Sequence, residues 1–378
     1  MTVLGVGIIG CGNISRTYLR NAPLFRGVEM RAVADMAPAA ARARADEFGV
    51  KALSVDDLRA SKDVAIVVNL TVPNAHYPVS LAALKAGKHV FTEKPLAATA
   101  ALGRKLVAAA KANRRAIASA PDTILGPAGR MARGLVEAGV IGKPISGTAF
   151  MMSHGMEHWH PNPDFFFKPG GGPVLDLGPY YVTQLVNLLG PVRRVLASTT
   201  IGNPTRTVSA EGPNKGKRIK VETPTTAHAL LEFASGARVM LGMSWDVWRH
   251  GMHPIEIHGT EGSMRVPDPN FFGGIVEVAR GRGEWERHDT SGAVFGKPNN
   301  PPDNPANANY RVLGIAELAE AIRTRRASRL SGDVALHALE VMEGVLRSGA
   351  RNRAITLPAT RARPGVMTEE DAAALAAD

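Results

Sequence analysis

Short apolar runs alternate with alanine-rich segments over the first 122 residues of the chain. The β-branched runs predict strands at 3–9, 30–34, 64–70, 89–92 and 116–119, and helical patterns lie between them at 38–48, 78–86 and 102–112. Gly49 and Gly87 follow two of the helical patterns, as is typical of helix C-termini. Strand–helix alternation of this length predicts a parallel sheet with right-handed crossovers. We therefore expect a doubly wound α/β domain over residues 1–122.

The pattern changes after residue 122, where strand-like runs begin to follow one another. A helical pattern covers 126–138, and apolar runs then predict strands at 145–152, 192–200, 227–233, 238–245, 254–258 and 275–279. Two further helical patterns lie at 313–325 and 333–347, and the segments 203–224 and 289–309 are predicted to be loops. Together these features predict an α+β domain with an antiparallel or mixed sheet over residues 123–378.

The composition and net charge of the chain limit the classes of ligand and partner that we expect. The chain has 378 residues, with 45 Lys and Arg against 34 Asp and Glu, a net charge of +11. Its basic clusters, at 215–218 and 323–326, are short and contain no aromatic residues, which favours a small anionic ligand over nucleic acid. One cysteine permits no internal disulfide, and no run reaches the roughly 18 apolar residues of a membrane span. We expect a cytoplasmic protein without membrane contact, since no basic signal region precedes the first strand.

A glycine-containing turn follows the first predicted strand and opens a helix. Gly10 permits a tight turn, Gly12 lets the backbone approach a pyrophosphate, and Cys11 between them is expected to pack beneath the turn. Ser15 stands in place of a third glycine and is small enough for close packing. Asp35 ends the second strand, where a carboxylate can accept hydrogen bonds from ribose hydroxyls. The spacing predicts a dinucleotide site, and NADP is disfavoured because the nearest arginines lie about two helical turns further along.

The candidate catalytic residues are one lysine in the first predicted domain and two residues near the start of a later helix. Lys94 follows the strand at 89–92, at the sheet edge where dinucleotides meet their substrates, although a lysine before a turn proline is also a common surface feature. Asp176 and Tyr180 are four residues apart and are predicted to share one face of a helix. Such a pair could hold and deprotonate a sugar hydroxyl. The spacing fits equally well an acidic residue favoured by the helix dipole and a tyrosine at a domain interface.

Several motifs together resemble one enzyme family. They occur in order along the chain: Gly10-x-Gly12, Asp35, Thr71-x-Pro73-Asn74-x-x-Tyr77, Ala86-Gly87-Lys88-His89-Val90, Glu93-Lys94-Pro95 and Gly171-Gly172-Pro173-x-x-Asp176-x-Gly178. The combination resembles the glucose–fructose oxidoreductase, inositol dehydrogenase and rhizopine-catabolism dehydrogenase (Gfo/Idh/MocA) family over essentially the whole chain. The resemblance implies an N-terminal Rossmann domain and a C-terminal domain built on a large, mostly antiparallel open sheet. It also implies a homodimer or homotetramer formed through that sheet.

The resemblance further implies roles for individual residues. Lys94 is implied to be the catalytic lysine, with Glu93 near the nicotinamide ribose. Many members carry His at the position of Tyr180 and an acid at that of Thr183, and this chain departs at both. Tyrosine at the first position resembles the glucose–fructose oxidoreductase and dihydrodiol dehydrogenase branches. The expected cofactor is NAD rather than NADP, and the expected binding residues are Gly10, Gly12, Asn13, Ile14, Asp35, Thr71, Pro73, Asn74, His76, Glu93 and Lys94.

The expected reaction is the oxidation of a secondary hydroxyl on a sugar, sugar derivative or cyclitol by hydride transfer to nicotinamide. Lys94 or Tyr180 takes the hydroxyl proton, and Asp176 orients the substrate. His154 and Trp159, in the polar and aromatic segment 154–161, are the expected substrate contacts, and no metal is expected. Arg311 is a candidate cation for an acidic substrate. Two alternatives stay open: an NAD-dependent glycoside-cleaving enzyme that oxidises its sugar transiently, and a non-catalytic dinucleotide sensor.

Overall fold

The computed structural model describes residues 2–299, 308–360 and 363–377. Part of the predicted loop at 289–309, residues 300–307, lies outside the described residues. Within the described ranges the chain forms a six-stranded sheet, a nine-stranded sheet and a two-stranded ribbon. The predicted fold class, a doubly wound α/β domain followed by an α+β domain on a mostly antiparallel sheet, is confirmed. No helix in the described ranges is long and apolar enough to cross a membrane.

The N-terminal part alternates strands and helices. Its elements are β1 (Leu4–Ile9), α1 (Asn13–Asn21), β2 (Val28–Ala34), α2 (Pro38–Phe48), β3 (Lys51–Leu53), α3 (Val55–Ala60), β4 (Ile66–Asn69), α4 (Pro73–Lys85), β5 (His89–Thr92), α5 (Ala100–Ala112) and β6 (Ile117–Ser119). The strands are all parallel and lie in the order β3-β2-β1-β4-β5-β6. The order reverses between β1 and β4, so the carboxyl ends of these two strands border a crevice.

The C-terminal part is built around the nine-stranded sheet. Its elements are α6 (Pro127–Glu137), β7 (Pro144–Met152), α7 (Pro173–Asp176), α8 (Gly178–Leu189), β8 (Val192–Thr200), β9 (Thr205–Thr207), β10 (Arg218–Lys220), β11 (Thr226–Phe233), β12 (Arg238–Ser244), β13 (Ile255–Gly259), β14 (Gly262–Val266), β15 (Ile275–Arg280), β16 (Glu286–Asp289), α9 (Leu313–Arg323), α10 (Gly332–Arg351), β17 (Ile355–Thr356) and α11 (Glu369–Leu375). The sheet order is β16-β15-β14-β13-β7-β12-β11-β8-β17, antiparallel except for the pair β7–β12. Burial alternates along β8 and β11, because α8 and α10 pack on one face and the other face is open.

The predicted single helix containing Asp176 and Tyr180 is wrong, since the helix is interrupted at Leu177 between α7 and α8. Pro179 has no N–H with which to continue the hydrogen-bond ladder to Leu175. The Tyr180 N–H donates to the Leu177 carbonyl at 3.2 Å instead of to the Asp176 carbonyl. The interruption therefore leaves the Asp176 carbonyl oxygen available to another partner.

Short elements account for the other differences from the sequence-based expectation. The predicted loop at 203–224 contains the antiparallel ribbon of β9 and β10. Strands of three residues, such as these and β3, are too short to show a two-residue period. Helix α4 begins at Pro73 rather than at 78, because Pro73 takes the first helical position and Pro78 lies inside the helix.

Two hydrophobic cores cross the domain boundary predicted at residue 122. One core lies under α3, α4 and α5 and continues through α10 to the covered face of the nine-stranded sheet. The other lies on the opposite face of the N-terminal sheet, where α9 and α11 pack together with α1 and α2. Backbone hydrogen bonds join Leu24 and Arg26 to Ala377 and Leu375. The division into residues 1–122 and 123–378 stays a prediction, and α9 and α11 complete the N-terminal part.

Candidate active site

The turn between β1 and α1 leaves room for an anionic group. Gly10 has φ +107°, and a Cβ there would lie 2.7 Å from the carbonyl carbon of Leu70, so a side chain does not fit. Apart from its two chain neighbours, no described residue lies within 4 Å of a Cβ placed on Gly12, the residue that precedes α1. The first amides of α1, at Asn13 and Ile14, therefore border open space at the positive end of the helix dipole. A pyrophosphate fits this cradle.

Asp35 lies beside this turn at the end of β2. Its Oδ2 accepts the Cys11 N–H at 2.8 Å, and its Oδ1 accepts the Ala37 N–H at 2.9 Å. A carboxylate offers about four acceptor positions, so two ribose hydroxyls can still be bound. A cavity of about 470 Å³ next to Asp35 is also lined by Arg42, which brings a cation nearer than the sequence spacing predicts.

Cys11 is buried beneath the turn, as expected, and its Sγ lies 3.5 Å from the carbonyl oxygen of Ala34. Burial, and secondly the charge of Asp35, raise the pKa of the Cys11 thiol to about 11. The thiol is therefore protonated at neutral pH, and a nucleophilic role is disfavoured.

His76 connects the turn after β4 to the segment after β5. Its side chain is buried, with Nδ1 2.6 Å from the carbonyl oxygen of Pro95 and Nε2 2.9 Å from that of Thr71. Burial lowers the pKa of His76, which favours the neutral ring. The imidazole thus lies behind the sheet edge as a support, whereas Thr71, Pro73 and Asn74 lie at the edge itself.

Lys94, Asp176 and Tyr180 meet at the crevice. Lys94 Nζ donates to Asp176 Oδ1 at 2.7 Å and to the Asp176 carbonyl oxygen, released by the helix interruption, at 2.6 Å. The same Nζ lies 5.4 Å from the centroid of the Tyr180 ring. The side chains of Lys94 and Asp176 are 17% and 21% exposed, so the pair is accessible to a small molecule. Two of the three Nζ hydrogens are engaged with Asp176, which leaves one for a ligand.

The surrounding charges keep Lys94 protonated. Burial works to lower the pKa of Lys94, but Asp176, Tyr180 and Glu93 outweigh it, and the net pKa is raised. Glu93 is itself held in place, since its Oε1 accepts the hydroxyl of the buried Tyr18 at 2.9 Å and its Oε2 accepts the Lys94 N–H at 2.9 Å. Burial, and secondly Glu93, raise the pKa of Tyr18 well above its usual value. Lys94 is therefore an ammonium group at neutral pH.

Asp122 and Arg311 extend the polar cluster toward α9. Asp122 Oδ2 accepts the N–H groups of Val312 at 3.2 Å and Gly314 at 3.1 Å, and so caps α9. Burial raises the pKa of Asp122 to about 6. Arg311 forms no ion pair with any described residue, and its pKa is raised because nearby Tyr180 and carboxylates outweigh the lowering effect of burial. Arg311 is thus a second cation near Tyr180.

A cleft of about 1120 Å³ opens at the carboxyl ends of β7 and β12. Its wall includes His154 and Glu157 from the segment after β7, Arg206 of β9, and Trp248 from the segment after β12. The rings of His154 and Trp248 stack, with centroids 3.3 Å apart and an interplanar angle of 16°. Trp159 is 57% exposed and does not line the cleft. The structure therefore places only one of the two predicted substrate contacts, His154, in this cleft.

Two family models match this chain and together cover Lys94, Asp176 and Tyr180. Residues 4–120 match a family model described as "Oxidoreductase family, NAD-binding Rossmann fold". Residues 130–265 match one described as "GFO/IDH/MocA C-terminal domain". The chain belongs to the GFO/IDH/MocA family. The predicted family and its NAD-binding Rossmann domain are thereby confirmed.

Individual members of the GFO/IDH/MocA family match with different coverage. Inositol 2-dehydrogenase from Salmonella typhimurium is 34% identical in an alignment of 152 residues that covers 38% of this chain and 44% of the relative. D-xylose 1-dehydrogenase (NADP(+)) from Hypocrea jecorina is 26% identical in an alignment of 376 residues that covers 91% of each chain. The crystal structure of an NAD binding oxidoreductase from Klebsiella pneumoniae superimposes with a TM-score of 0.81 at 23% identity, covering 95% of this chain and 100% of that chain. The match to the inositol dehydrogenase thus spans less than half of its length, and the crystal structure supports the fold alone.

Three residues of this GFO/IDH/MocA protein, two near Lys94 and one in the separate cleft, are not singled out by the sequence. Tyr18 lies within α1, and only the fold brings its hydroxyl to Glu93. Asp122 follows the last N-terminal strand and caps a helix that begins at Leu313. Trp248 could have been found from the aromatic and basic run 245–250 directly after a predicted strand. In the described ranges, no group of three His, Cys, Asp or Glu residues could hold a metal ion.

Proposed function

We propose that this protein oxidises a secondary hydroxyl of a sugar, a sugar derivative or a cyclitol and transfers the hydride to NAD. The observation that carries the proposal is the meeting of Lys94, Asp176 and Tyr180 at the crevice bordered by the glycine turn. The relatives named for inositol and D-xylose support the substrate class.

NAD would bind along the carboxyl edge of the N-terminal sheet. The pyrophosphate would bind at Gly10, Gly12 and the first amides of α1, and the adenosine ribose at Asp35. The edge residues after β4 and Glu93 after β5 would border the nicotinamide ribose. When bound, NAD supplies the hydride acceptor.

Each of three side chains would have a separate role toward the substrate: Lys94, Tyr180 and Asp176. The raised pKa of Lys94 makes it a donor, so its third Nζ hydrogen would bind the reacting oxygen and stabilise negative charge developing there. Tyr180 in its phenolate form would accept the hydroxyl proton and become the neutral phenol, since its ring lies next to Lys94 Nζ. Asp176 would hold Lys94 and orient a neighbouring hydroxyl. His154 lines the separate cleft, where it would contact a part of the substrate beyond the reacting ring.

The open face of the nine-stranded sheet is the proposed surface for a homodimer or homotetramer. Leu196, Leu230 and Met240 are exposed and lie side by side across β8, β11 and β12. An apolar row on an otherwise open sheet face is typical of an association surface.

The test is a panel of sugars, aldonates, cyclitols and glycosides, incubated with NAD and with NADP and followed by NADH or NADPH absorbance. Net NADH formation with at least one sugar or polyol is the expected result. Release of an aglycone without net NADH would replace the proposal with transient oxidation during glycoside cleavage. Tight NAD binding without turnover of any compound would favour a dinucleotide sensor.

A further inference from the structure

The cleft bounded by His154, Glu157, Arg206 and Trp248 is larger than one sugar ring requires. Its volume of about 1120 Å³ is slightly larger than that of most small-molecule pockets, which are roughly 300–1,000 Å³. Neither Lys94 nor Asp176 lines it among the described residues. A ring held for reaction at Lys94 would therefore leave this space unfilled.

The aromatic wall of the cleft suits the apolar face of a ring. One face of the Trp248 indole is covered by His154, and the side chain is otherwise open, with the residue 79% exposed. Burial, and secondly Arg206, lower the pKa of His154, so the stacked pair is uncharged at neutral pH. An uncharged aromatic surface packs well against the C–H face of a sugar.

The charges in the cleft argue against a phosphate or carboxylate ligand. Arg206 is buried and donates to Glu157 Oε1 at 2.8 Å, to the Trp245 carbonyl oxygen at 2.9 Å, and to Asp246. Its positive charge is thus matched by two carboxylates of the protein. Arg249, the other lining cation, is exposed at the rim.

The polar groups of the cleft suit a ligand that donates hydrogen bonds. Glu157 Oε2 is buried and has no hydrogen-bond partner in the described part of the chain. The hydroxyls of Ser153, Thr205 and Ser209 also line the cleft. Acceptors and hydroxyls beside an aromatic face match a polyhydroxylated ring better than a hydrocarbon.

We propose that this cleft binds a second, non-reacting sugar ring, so that the protein acts on disaccharides or glycosides in preference to free monosaccharides. The inference rests on the proposed function. The second ring would stack on the open face of Trp248 while the first presents its hydroxyl to Lys94. The segment 153–172 carries His154 and Glu157 and leads directly to α7 and Asp176. The start of α8 packs near the carboxyl end of β12, where a Cβ on Gly178 would lie 3.7 Å from Met243 Sδ, so the strand end at which the cleft opens is close to the helix that carries Tyr180.

The experiment compares kcat/KM of the NAD-loaded protein for D-glucose, cellobiose, maltose and gentiobiose. We expect at least one disaccharide to exceed glucose by about tenfold, and Trp248→Ala to remove that advantage through KM while glucose oxidation stays within about twofold. Trp285→Ala, which changes a tryptophan next to the edge strand β16 and outside the cleft, should leave both values unchanged. Trp248→Phe should restore most of the preference. Equal kcat/KM for glucose and all disaccharides, or an equal loss on both after Trp248→Ala, would overturn the inference.

Calorimetric titration of the disaccharides into the protein with NADH separates this inference from the proposed function. Disaccharide binding that weakens about tenfold in Trp248→Ala but not in Trp285→Ala supports the cleft assignment, even if no probe yields NADH. Oxidation of glucose with neither disaccharide binding nor disaccharide preference supports the proposed function and rejects the second-ring site.

Discussion

Lys94 is the residue on which the proposed chemistry depends most directly. Lys94→Ala should lower kcat by about 10²–10⁴, because the donor to the reacting oxygen is lost. NAD affinity should change little, because Lys94 hydrogen-bonds Asp176 rather than the glycine turn. NADH formation at steady state and fluorescence titration with NADH measure the two effects. Lys111→Ala is the control, since Lys111 is an exposed lysine paired with Asp333. Full activity of Lys94→Ala would remove the lysine from the mechanism.

Asp35 governs the choice of dinucleotide. Asp35→Ala should weaken NAD binding by about tenfold or more, because hydrogen bonds from ribose hydroxyls to a charged acceptor are lost, and should relax discrimination against NADP. Titrations with both cofactors measure the change, and Asp46→Ala on the exposed side of α2 is the control. If the unmodified protein binds NADP more tightly than NAD, Arg42 in the same cavity outweighs Asp35, and this interpretation of Asp35 is wrong.

Sequence patterns place individual residues at strand ends but do not show which partners they meet. The glycine turn, Asp35 and Lys94 follow predicted strands, and their positions at the sheet edge were therefore accessible from the sequence. The contact of Lys94 with Asp176 joins two halves of the chain, and only the family resemblance brought the two residues together. Tyr18 and Trp248 carry no local signal for their partners, because burial and stacking are decided by tertiary packing.

At the scale of elements, the interruption between α7 and α8 creates part of the site. A proline near a helix start is usually accommodated, so the spacing of Asp176 and Tyr180 predicts one continuous helix. In the structure Pro179 follows Gly178, and the Tyr180 N–H bonds three residues back. The freed carbonyl oxygen of Asp176 accepts a hydrogen bond from Lys94 Nζ. The helical spacing of residues in the sequence cannot show this contact.

The cap on α9 gives a pH-dependent contribution to stability. The pKa of Asp122 is raised to about 6 by burial, so the folded protein binds this proton more tightly than the unfolded chain does. This group's contribution is fully present below about pH 4 and is lost as the pH rises to about 6. Asp122→Asn keeps an oxygen that accepts from Val312 and Gly314 but does not titrate. Between about pH 4 and about pH 6, this group should lower the free energy of unfolding of the unmodified protein by about 3 kcal/mol. Asp122→Asn should not show this part of the decrease.

Urea unfolding at about pH 4 and about pH 7 measures the Asp122 effect. Asp46→Asn changes an exposed carboxylate and should follow the unmodified protein. The same pH dependence in Asp122→Asn and the unmodified protein would show that Asp122 does not carry this contribution.

At the scale of the whole molecule, the open sheet face predicts association. The protein should elute as a dimer or tetramer at micromolar concentration, and Leu230→Lys combined with Met240→Lys should shift it to a monomer by placing charges in the apolar row. Light scattering coupled to size-exclusion chromatography measures the mass. Val3→Lys, at an exposed apolar position of the N-terminal part, should have no effect. A monomeric unmodified protein would contradict the prediction.

The alternation of strand and helix patterns is sufficient to predict the order of the two fold classes along the chain. The spacing of apolar residues in each segment shows whether a strand or a helix buries its apolar face there. This alternation is not sufficient to assign α9 and α11 to the N-terminal sheet. An amphipathic pattern shows that a helix covers something but not which surface, and these helices lie hundreds of residues from the strands that they cover.

The hydrogen bonds between residues 24–26 and 375–377 have a consequence for biosynthesis. A ribosome releases the six N-terminal strands early, yet the part of one sheet face that α1 and α2 do not cover stays exposed until α9 and α11 have been translated. Bacterial or eukaryotic ribosomes add about 5–20 residues per second, so that face is exposed for roughly ten seconds or more. The nascent N-terminal half thus exposes apolar surface during this interval, and a chaperone that binds such surface would protect it from aggregation.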